Sequence, residues 1–333
     1  MQDENFLNAN NTIDYFTDVE PHKISDCEGI LPVYFFTLEN SAFLLKKITF
    51  ESNTKKKYIL MSTAIVIPAR YASKRFPGKP LAKIAGVEML KRVWKIASLV
   101  KKKYPDTYAV VATDDNRIKS FCEQNNINYV MTAESCRTGT ERTAEALQKI
   151  DFEPDFVINL QGDNPLCPPW FIESMIECYY ENPTIDMITP YVKLKWSDLD
   201  ALRKQKEKSP FSGTSVIVNK NGDAIWFSKN IIPAIRKEES VREKNEFSPV
   251  KRHIGLYGYS PKMLSIMPSI KATEYEECEG LEQLPILEAG YKIKMQEVDY
   301  KDRTGMSGVD TPEDAEKATK LFEEFGEFDK YYK

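Results

Sequence analysis

Histidine is almost missing from this 333-residue chain, which has only His22 and His253. Its six cysteines, Cys27, Cys122, Cys136, Cys167, Cys178 and Cys278, are scattered, with no Cys-x-x-Cys pair among them. A zinc site therefore has almost no raw material. The N-terminus, MQDENFLNANN, is acidic and polar and lacks the basic start and apolar core of a secretory signal. Disulfides are accordingly not expected, and the cysteines read as free thiols. No apolar run approaches the roughly 20 residues that span a bilayer. Positive charge is not in excess either: 46 Lys+Arg stand against 50 Asp+Glu, a net −4, which argues against a general nucleic-acid binder. The dinucleotide fingerprint G-x-G-x-x-G is also missing. These absences predict a soluble cytoplasmic protein with neither a membrane nor a nucleic acid as its partner.

Apolar material is ample. Hydrophobic content of 42%, with 11% aromatic, supports a substantial buried core, and 333 residues suit one large α/β domain with a smaller annex, or two lobes. Residues 1–60 stand apart. They are Asn-rich and acidic, then carry the apolar patches ILPVYFFTLE and SAFLLKKITF, and end in the basic TKKKYIL. They read as a small β appendage, an oligomerisation arm or an unrelated extension, and hold no recognisable chemistry. From Thr63 the chain alternates. TAIVIPAR and TYAVVAT are buried-strand runs, and MLKRVWKIASLVKK places Leu90, Val93, Trp94, Ala97 and Val100 at helical spacing. NRIKSFCEQN reads as a helix and NYVMT as a short strand. TGTERTAEALQKI opens with Thr138 and has Glu141 three residues on, a capping-box pattern. DFVINLQGD, 155–163, reads as a strand, and Pro168-Pro169 suit the first turn of the helix that follows.

This rhythm predicts a Rossmann-like, mostly parallel sheet with helices on both faces. The later half reads differently. TSVIVNKNGDAIWFSK is a hairpin around Asn221-Gly222, and RHIGLYGYS is a further strand, so a smaller mixed β subdomain is expected. The first part spans about 61–186 and the second about 187–300. A last helix then returns to the core, with Thr311 as its N-cap, Pro312 at its first position and Asp314 near its positive end.

Two features carry chemistry. IPARYASKRFPGKPL, Ile67 to Leu81, follows the first strand and sets Arg70, Lys74, Arg75 and Lys79 on a loop stiffened by Pro68, Pro77 and Pro80. Such cations repel one another until an anion arrives, and a polyphosphate is the natural guest, gripped bidentately by arginine and as a point charge by lysine. The loop is not a Walker motif, because Ser73 stands where the first glycine belongs and Pro80 where Ser or Thr would bind magnesium. The second feature is LQGDNP. Asp163 ends an otherwise apolar strand, where a carboxylate needs a partner such as Mg²⁺, and Asp310 in GVDTPED is the natural second carboxylate.

Taken together, IPARYASKRFPGKPL, VATDD, TGTERTAEA, NLQGDNPL, FSKNIIP, RHIGLYGY, LEQL and GVDTPED resemble, in order and spacing, the 3-deoxy-manno-octulosonate (Kdo) cytidylyltransferases over about residues 62–325. The resemblance implies transfer of CMP from CTP to the anomeric hydroxyl of a sugar acid, with release of pyrophosphate, for lipopolysaccharide synthesis. It implies that Arg70, Arg75 and Lys79 act on the triphosphate, that Pro68, Ala69, Thr138, Gly139, Thr140 and Gln161 meet the nucleotide, and that Asp163 and Asp310 hold Mg²⁺. His253, Tyr257, Glu282 and Gln283 would meet the sugar acid, His253 and Tyr257 from one face of a single strand. It also implies a nucleotidyltransferase, GT-A-like domain over 61–333, with nucleotide binding in about 61–186 and sugar binding and dimerisation in about 187–300; a homodimer is the family expectation.

The chain departs from that pattern at Asn164 (usually Glu), Pro285 (usually Arg, and expected to disturb a helix) and Trp226–Lys229 (usually YFSR). The Ala112–Ser120 stretch looks like the branch that uses 8-amino-3,8-dideoxy-octulosonate, so the sugar acid stays open between the two. Rival readings are a cytidylyltransferase for N-acylneuraminate, a glycosyltransferase with Asp114-Asp115 as its metal motif, and a non-catalytic nucleotide-binding scaffold.

Overall fold

The computed structural model describes strand backbone at 32–39, 42–49 and 58–59, and residues 61–73, 75–305 and 308–332. His22, Cys27 and Lys74 lie outside the described residues. The chain divides into two units, Met1–Leu60 and Met61–Lys333. In the first, β1 (Pro32–Glu39), β2 (Ala42–Thr49) and β3 (Tyr58–Ile59) form an antiparallel sheet in that order.

In the second unit the elements run β4 (Thr63–Pro68), β5 (Lys83–Ile84), β6 (Val87–Glu88), α1 (Met89–Lys103), β7 (Thr107–Thr113), α2 (Asn116–Gln124), β8 (Tyr129–Met131), α3 (Gly139–Lys149), β9 (Phe156–Asn159) and α4 (Pro169–Glu181). They continue with β10 (Met187–Lys195), α5 (Trp196–Lys208), β11 (Thr214–Val218), β12 (Ala224–Ser228), α6 (Glu238–Lys244), β13 (Phe247–His253) and β14 (Tyr257–Tyr259). The chain closes with α7 (Pro261–Ile266), α8 (Glu274–Glu279), α9 (Leu284–Glu288), β15 (Ile293–Glu297) and α10 (Pro312–Phe325).

One ten-stranded mixed sheet runs β12-β11-β13-β10-β14-β9-β4-β7-β8, with β15 paired to β10. The β9-β4-β7-β8 stretch is parallel throughout. The mixed β part expected over 187–300 is built as a continuation of this sheet, because β14 pairs antiparallel with both β9 and β10. Alternation along each central strand feeds two apolar layers. Ile65 and Ile67 of β4 join Leu90, Val93 and Ile96 of α1 and Phe171 and Ile172 of α4. Ala64 and Val66 face the other side, with Ala144 and Ala146 of α3, Met263 of α7 and Leu284 of α9. All six β4 residues are buried, which is why the strand reads as an unbroken apolar run. Each fully buried aliphatic of this kind contributes about 1.5–3 kcal/mol.

Several local expectations are corrected. DFVINLQGD is a strand only to Asn159, so Asp163 sits in the loop beyond it. The Thr138 hydroxyl accepts from Glu141 N at 3.1 Å, but the Glu141 carboxylate accepts from Arg137 N at 2.7 Å, so the predicted box at α3 closes one residue early. RHIGLYGY is not one strand: His253 ends β13 and Tyr257 opens β14, either side of a break. Pro285 does not disturb a helix; it stands in the first turn of α9, where its missing N–H is not needed. The capping box predicted for α10, Thr311 with Asp314, is present in both directions.

Candidate active site

Ligands in sheets of this type bind beyond the carboxyl ends of the strands, and here the loops after β4 and β9 meet there. Gly162 N donates to the Pro68 carbonyl at 3.2 Å, and a Cβ on Gly162 would lie 2.7 Å from that oxygen. Only glycine lets these two backbones touch, and the contact sets Asp163 beside the cationic loop. A third segment arrives from the far end of the chain, where Val309 N donates to the Asp163 carbonyl at 2.7 Å. That bond brings in Asp310.

The side chains then converge. Lys79 Nζ donates to Asp163 Oδ2 at 2.6 Å and to Asp310 Oδ1 at 3.1 Å, and Arg75 lies 3.0 Å from the same Asp310 oxygen. Burial works against the charge on Lys79, but the two carboxylates outweigh it and hold its pKa above the usual lysine value. Hard carboxylate oxygens suit Mg²⁺, which keeps substrate and water oxygens among its ligands instead of demanding a full protein cage. Among the described residues no group of three or more His, Cys, Asp or Glu side chains could hold a metal. The pair Asp163 and Asp310 offers hard oxygens of the kind such an ion takes, both within 3.1 Å of Lys79 Nζ.

Around them opens a cavity of about 730 Å³. Pro68, Ala69, Arg70, Arg75, Lys79, Thr138, Gly139, Gln161, Asp163, Glu282 and Asp310 all line it, so residues proposed from five separate motifs share one cleft. Thr140 faces an adjoining pocket of about 220 Å³, with Thr138 and Glu282. Gln161 Nε2 donates to Asn159 Oδ1 at 2.9 Å, which orients its amide.

Of the expected sugar set, only Glu282 reaches the cleft. It accepts from the Thr140 hydroxyl at 2.9 Å, and burial raises its pKa. His253, Tyr257 and Gln283 do not line either cavity. Tyr257 and His253 still meet, ring centroids 5.7 Å apart, although they come from different strands. Burial, with the nearby Lys229 charge, pushes His253 down to about 3, so it is neutral at ordinary pH. Its Nε2 lies 2.8 Å from Thr189 Oγ1, whose hydroxyl donates to the Leu256 carbonyl at 2.8 Å. That arrangement assigns the Nε2–H tautomer. Gln283 is 1% exposed and its Nε2 has no partner among the described residues.

The structure also assigns residues that motif reading missed. Arg142 lines the cleft and, almost fully buried, donates to Asp114 Oδ2 at 2.6 Å and Thr132 Oγ1 at 2.5 Å. Asp115 accepts from Arg117 N and caps α2. Asp114-Asp115 is thus occupied by structural partners, which removes the basis of the glycosyltransferase reading. The adjacent acids were the available signal, but the partner of Asp114 lies 28 residues away. The five cysteines among the described residues are unpaired; Cys136 lines the cleft, and burial with the Glu145 carboxylate beside it pushes its thiol up to about 11.

A Rossmann-like sheet with a cationic loop and two carboxylates at its carboxyl edge defines a nucleotidyltransferase. A cytidylyltransferase family model matches residues 64–293. A 3-deoxy-manno-octulosonate cytidylyltransferase from Maricaulis maris is 43% identical over 267 residues, 80% of this chain and 99% of that protein. An 8-amino-3,8-dideoxy-manno-octulosonate cytidylyltransferase from Shewanella pealeana is 38% identical, covering 76% of this chain and 96% of its own length. Among solved structures, a CMP:2-keto-3-deoxy-manno-octonic acid synthetase complexed with CTP aligns with TM-score 0.67 and 32% identity, covering 79% of this chain and 99% of that one. The chain belongs to the 3-deoxy-manno-octulosonate cytidylyltransferase family.

Proposed function

We propose that this chain transfers CMP from CTP to the anomeric hydroxyl of a 3-deoxy-octulosonic acid, Kdo or its 8-amino analogue, for lipopolysaccharide synthesis. The observation that carries the reading is the meeting of Lys79 and Arg75 with Asp163 and Asp310 in one cleft. Phosphoryl transfer of this kind needs chiefly positioning and charge neutralisation. Arg70, Arg75 and Lys79 grip the triphosphate and offset the charge that builds on the departing pyrophosphate. Asp163 and Asp310 would hold Mg²⁺, which would supply Lewis-acid neutralisation of phosphate charge. The anomeric oxygen gives its proton to water and bonds to the α-phosphorus, while the bond from that phosphorus to pyrophosphate breaks and pyrophosphate leaves. Thr138, Gly139, Thr140 and Gln161 orient the nucleoside side. Glu282 contacts the sugar acid, while neutral His253, with Tyr257 and Gln283, builds the wall behind it.

Residues 61–333 carry this activity, in keeping with a relative matched over 99% of its length by 80% of this chain. The working form is a cytoplasmic homodimer. A pyrophosphate-release assay with CTP, Mg²⁺ and Kdo tests the reading. Turnover with Kdo supports it, and turnover only with the 8-amino acid moves the substrate but not the mechanism. Silence with every 3-deoxy-octulosonic acid while N-acylneuraminate is used overturns it, and silence with all sugar acids favours a scaffold. A chain beginning at Met61 is expected to keep the wild-type rate.

A further inference from the structure

The cationic loop is held shut by a clasp outside the cleft. The Tyr71 carbonyl accepts from Ser73 N and from Gly78 N, both at 3.0 Å, so Tyr71 ties the two ends of the turn together. Its ring presses on Gly78, where a Cβ would stand 2.8 Å from the phenol carbon and oxygen, and Gly78 has φ +71°. Gly78 in turn is the residue from which the Lys79–Leu81 turn starts. The Arg117 guanidinium covers the Tyr71 ring, 3.3 Å from its centroid. Arg117 is itself anchored, donating from Nε and Nη2 to Asp115 at 2.9 and 2.6 Å. Asp115 caps α2 directly after β7, the parallel neighbour of β4. A chain of contacts therefore runs from the end of β7 through Asp115, Arg117, Tyr71 and Gly78 to Lys79. The motif at Ala112–Ser120, whose Asp114 only braces Arg142, finds its use here.

We propose that Arg117 is a positioning residue for CTP: by stacking on Tyr71 it holds the loop of Arg70, Arg75 and Lys79 in its triphosphate-gripping form. Asp310 and Asp163 hold the tips of Arg75 and Lys79, and the Tyr71 clasp fixes the backbone that carries them before the anion arrives. Fixing it in advance removes that ordering cost from binding. Because the Arg117 charge is already matched by Asp115, its effect is transmitted by the stack and not by attraction to phosphate at a distance. The inference rests on reading this loop as the CTP grip.

Calorimetric binding of CTP to the full chain tests it without any sugar acid. A stacking contact at an exposed site sets the scale, so Arg117→Ala is expected to weaken CTP binding about two- to five-fold. Arg117→Lys is expected to retain most of the affinity. In turnover assays the apparent KM for CTP rises while that for the sugar acid and kcat hold. Tyr71→Leu weakens CTP binding in the same way, and adding Arg117→Ala to it changes nothing further, since the two act through one contact. The loss persists at roughly 0.5 M salt, where long-range attraction is screened. If Tyr71→Leu does not fold, Tyr71→Phe, which keeps the ring face, is expected to bind as the wild type does and to keep the full Arg117→Ala effect. Unchanged CTP affinity in Arg117→Ala, an undiminished Arg117→Ala effect beside Tyr71→Leu, or a loss that vanishes in salt overturns the proposal. A wild-type chain that fails to bind CTP instead overturns the reading of the loop itself.

Discussion

Asp163 and Asp310, 147 positions apart in the chain, are joined through a single ammonium: Lys79 Nζ is 2.6 Å from one carboxylate and 3.1 Å from the other. The proposed chemistry is arranged about that junction, and most of what can be tested concerns it.

Asp163→Ala removes one of the two hard-oxygen donors and leaves the sheet untouched, because Asp163 lies beyond the end of β9. Pyrophosphate release is expected to fall by roughly 10²–10³-fold or more, the scale for losing a placed electrostatic group. Circular dichroism should remain that of the wild type. A near-normal rate would show that the carboxylate does not serve the reaction.

Arg75→Ala strips an exposed cation that touches Asp310 at 3.0 Å. Its side chain lines the cleft. Steady-state kinetics with each substrate varied in turn should show the apparent KM for CTP rising several-fold, with a smaller change for the sugar acid. A CTP KM equal to the wild type's would remove Arg75 from the triphosphate grip.

Gly162→Ala tests the backbone contact that sets Asp163. The added Cβ would meet the Pro68 carbonyl oxygen at 2.7 Å, and a backbone atom cannot swing aside. Urea unfolding should show a loss of about 1–3 kcal/mol, as for overpacking elsewhere. Turnover should drop too, since a misplacement of about 1 Å costs on the order of 10²-fold. Gly255→Ala, where nothing lies within 4 Å, serves as the neutral control.

His253 makes stability depend on acid. Its folded pKa is lowered to about 3 from an ordinary 6.5, so the unfolded chain binds the extra proton between those values. The contribution is complete above pH 6.5 and drains away as the pH falls toward 3, at up to about 1.4 kcal/mol per unit for one group. Denaturant titrations at pH 4 to 7 should show a shallower pH slope in His253→Asn than in the wild type. The sugar-acid KM should meanwhile show no titration near 6.5. Equal slopes in the two proteins would mean that His253 charges freely in the fold.

Much of the architecture was legible because it is written in near neighbours. The alternating strands, the Asn221-Gly222 hairpin and the Thr311–Asp314 box each depend on residues a few positions apart, and the structure contains them. Errors arose where a local rule met a distant partner. His253 and Tyr257, read as one strand, belong to two, because β13 pairs with β11 and β14 with β9. Pro285, read as a breaker, begins a helix. Tyr71 and Arg117 each stand inside a quoted motif, but nothing local pairs them, since their stack joins the ends of neighbouring strands.

Composition and order alone settled that a stiff cationic turn follows a doubly buried strand, and that acids stand at 163 and 310. They could not say that one lysine would lie against both. Its two bonds span 84 and 231 positions, and only packing the sheet brings such remote groups within 3.1 Å. Spacing along a chain governs helices, strands and caps, whereas proximity across it is decided by which backbones, like those at Gly162 and Pro68, can close on one another.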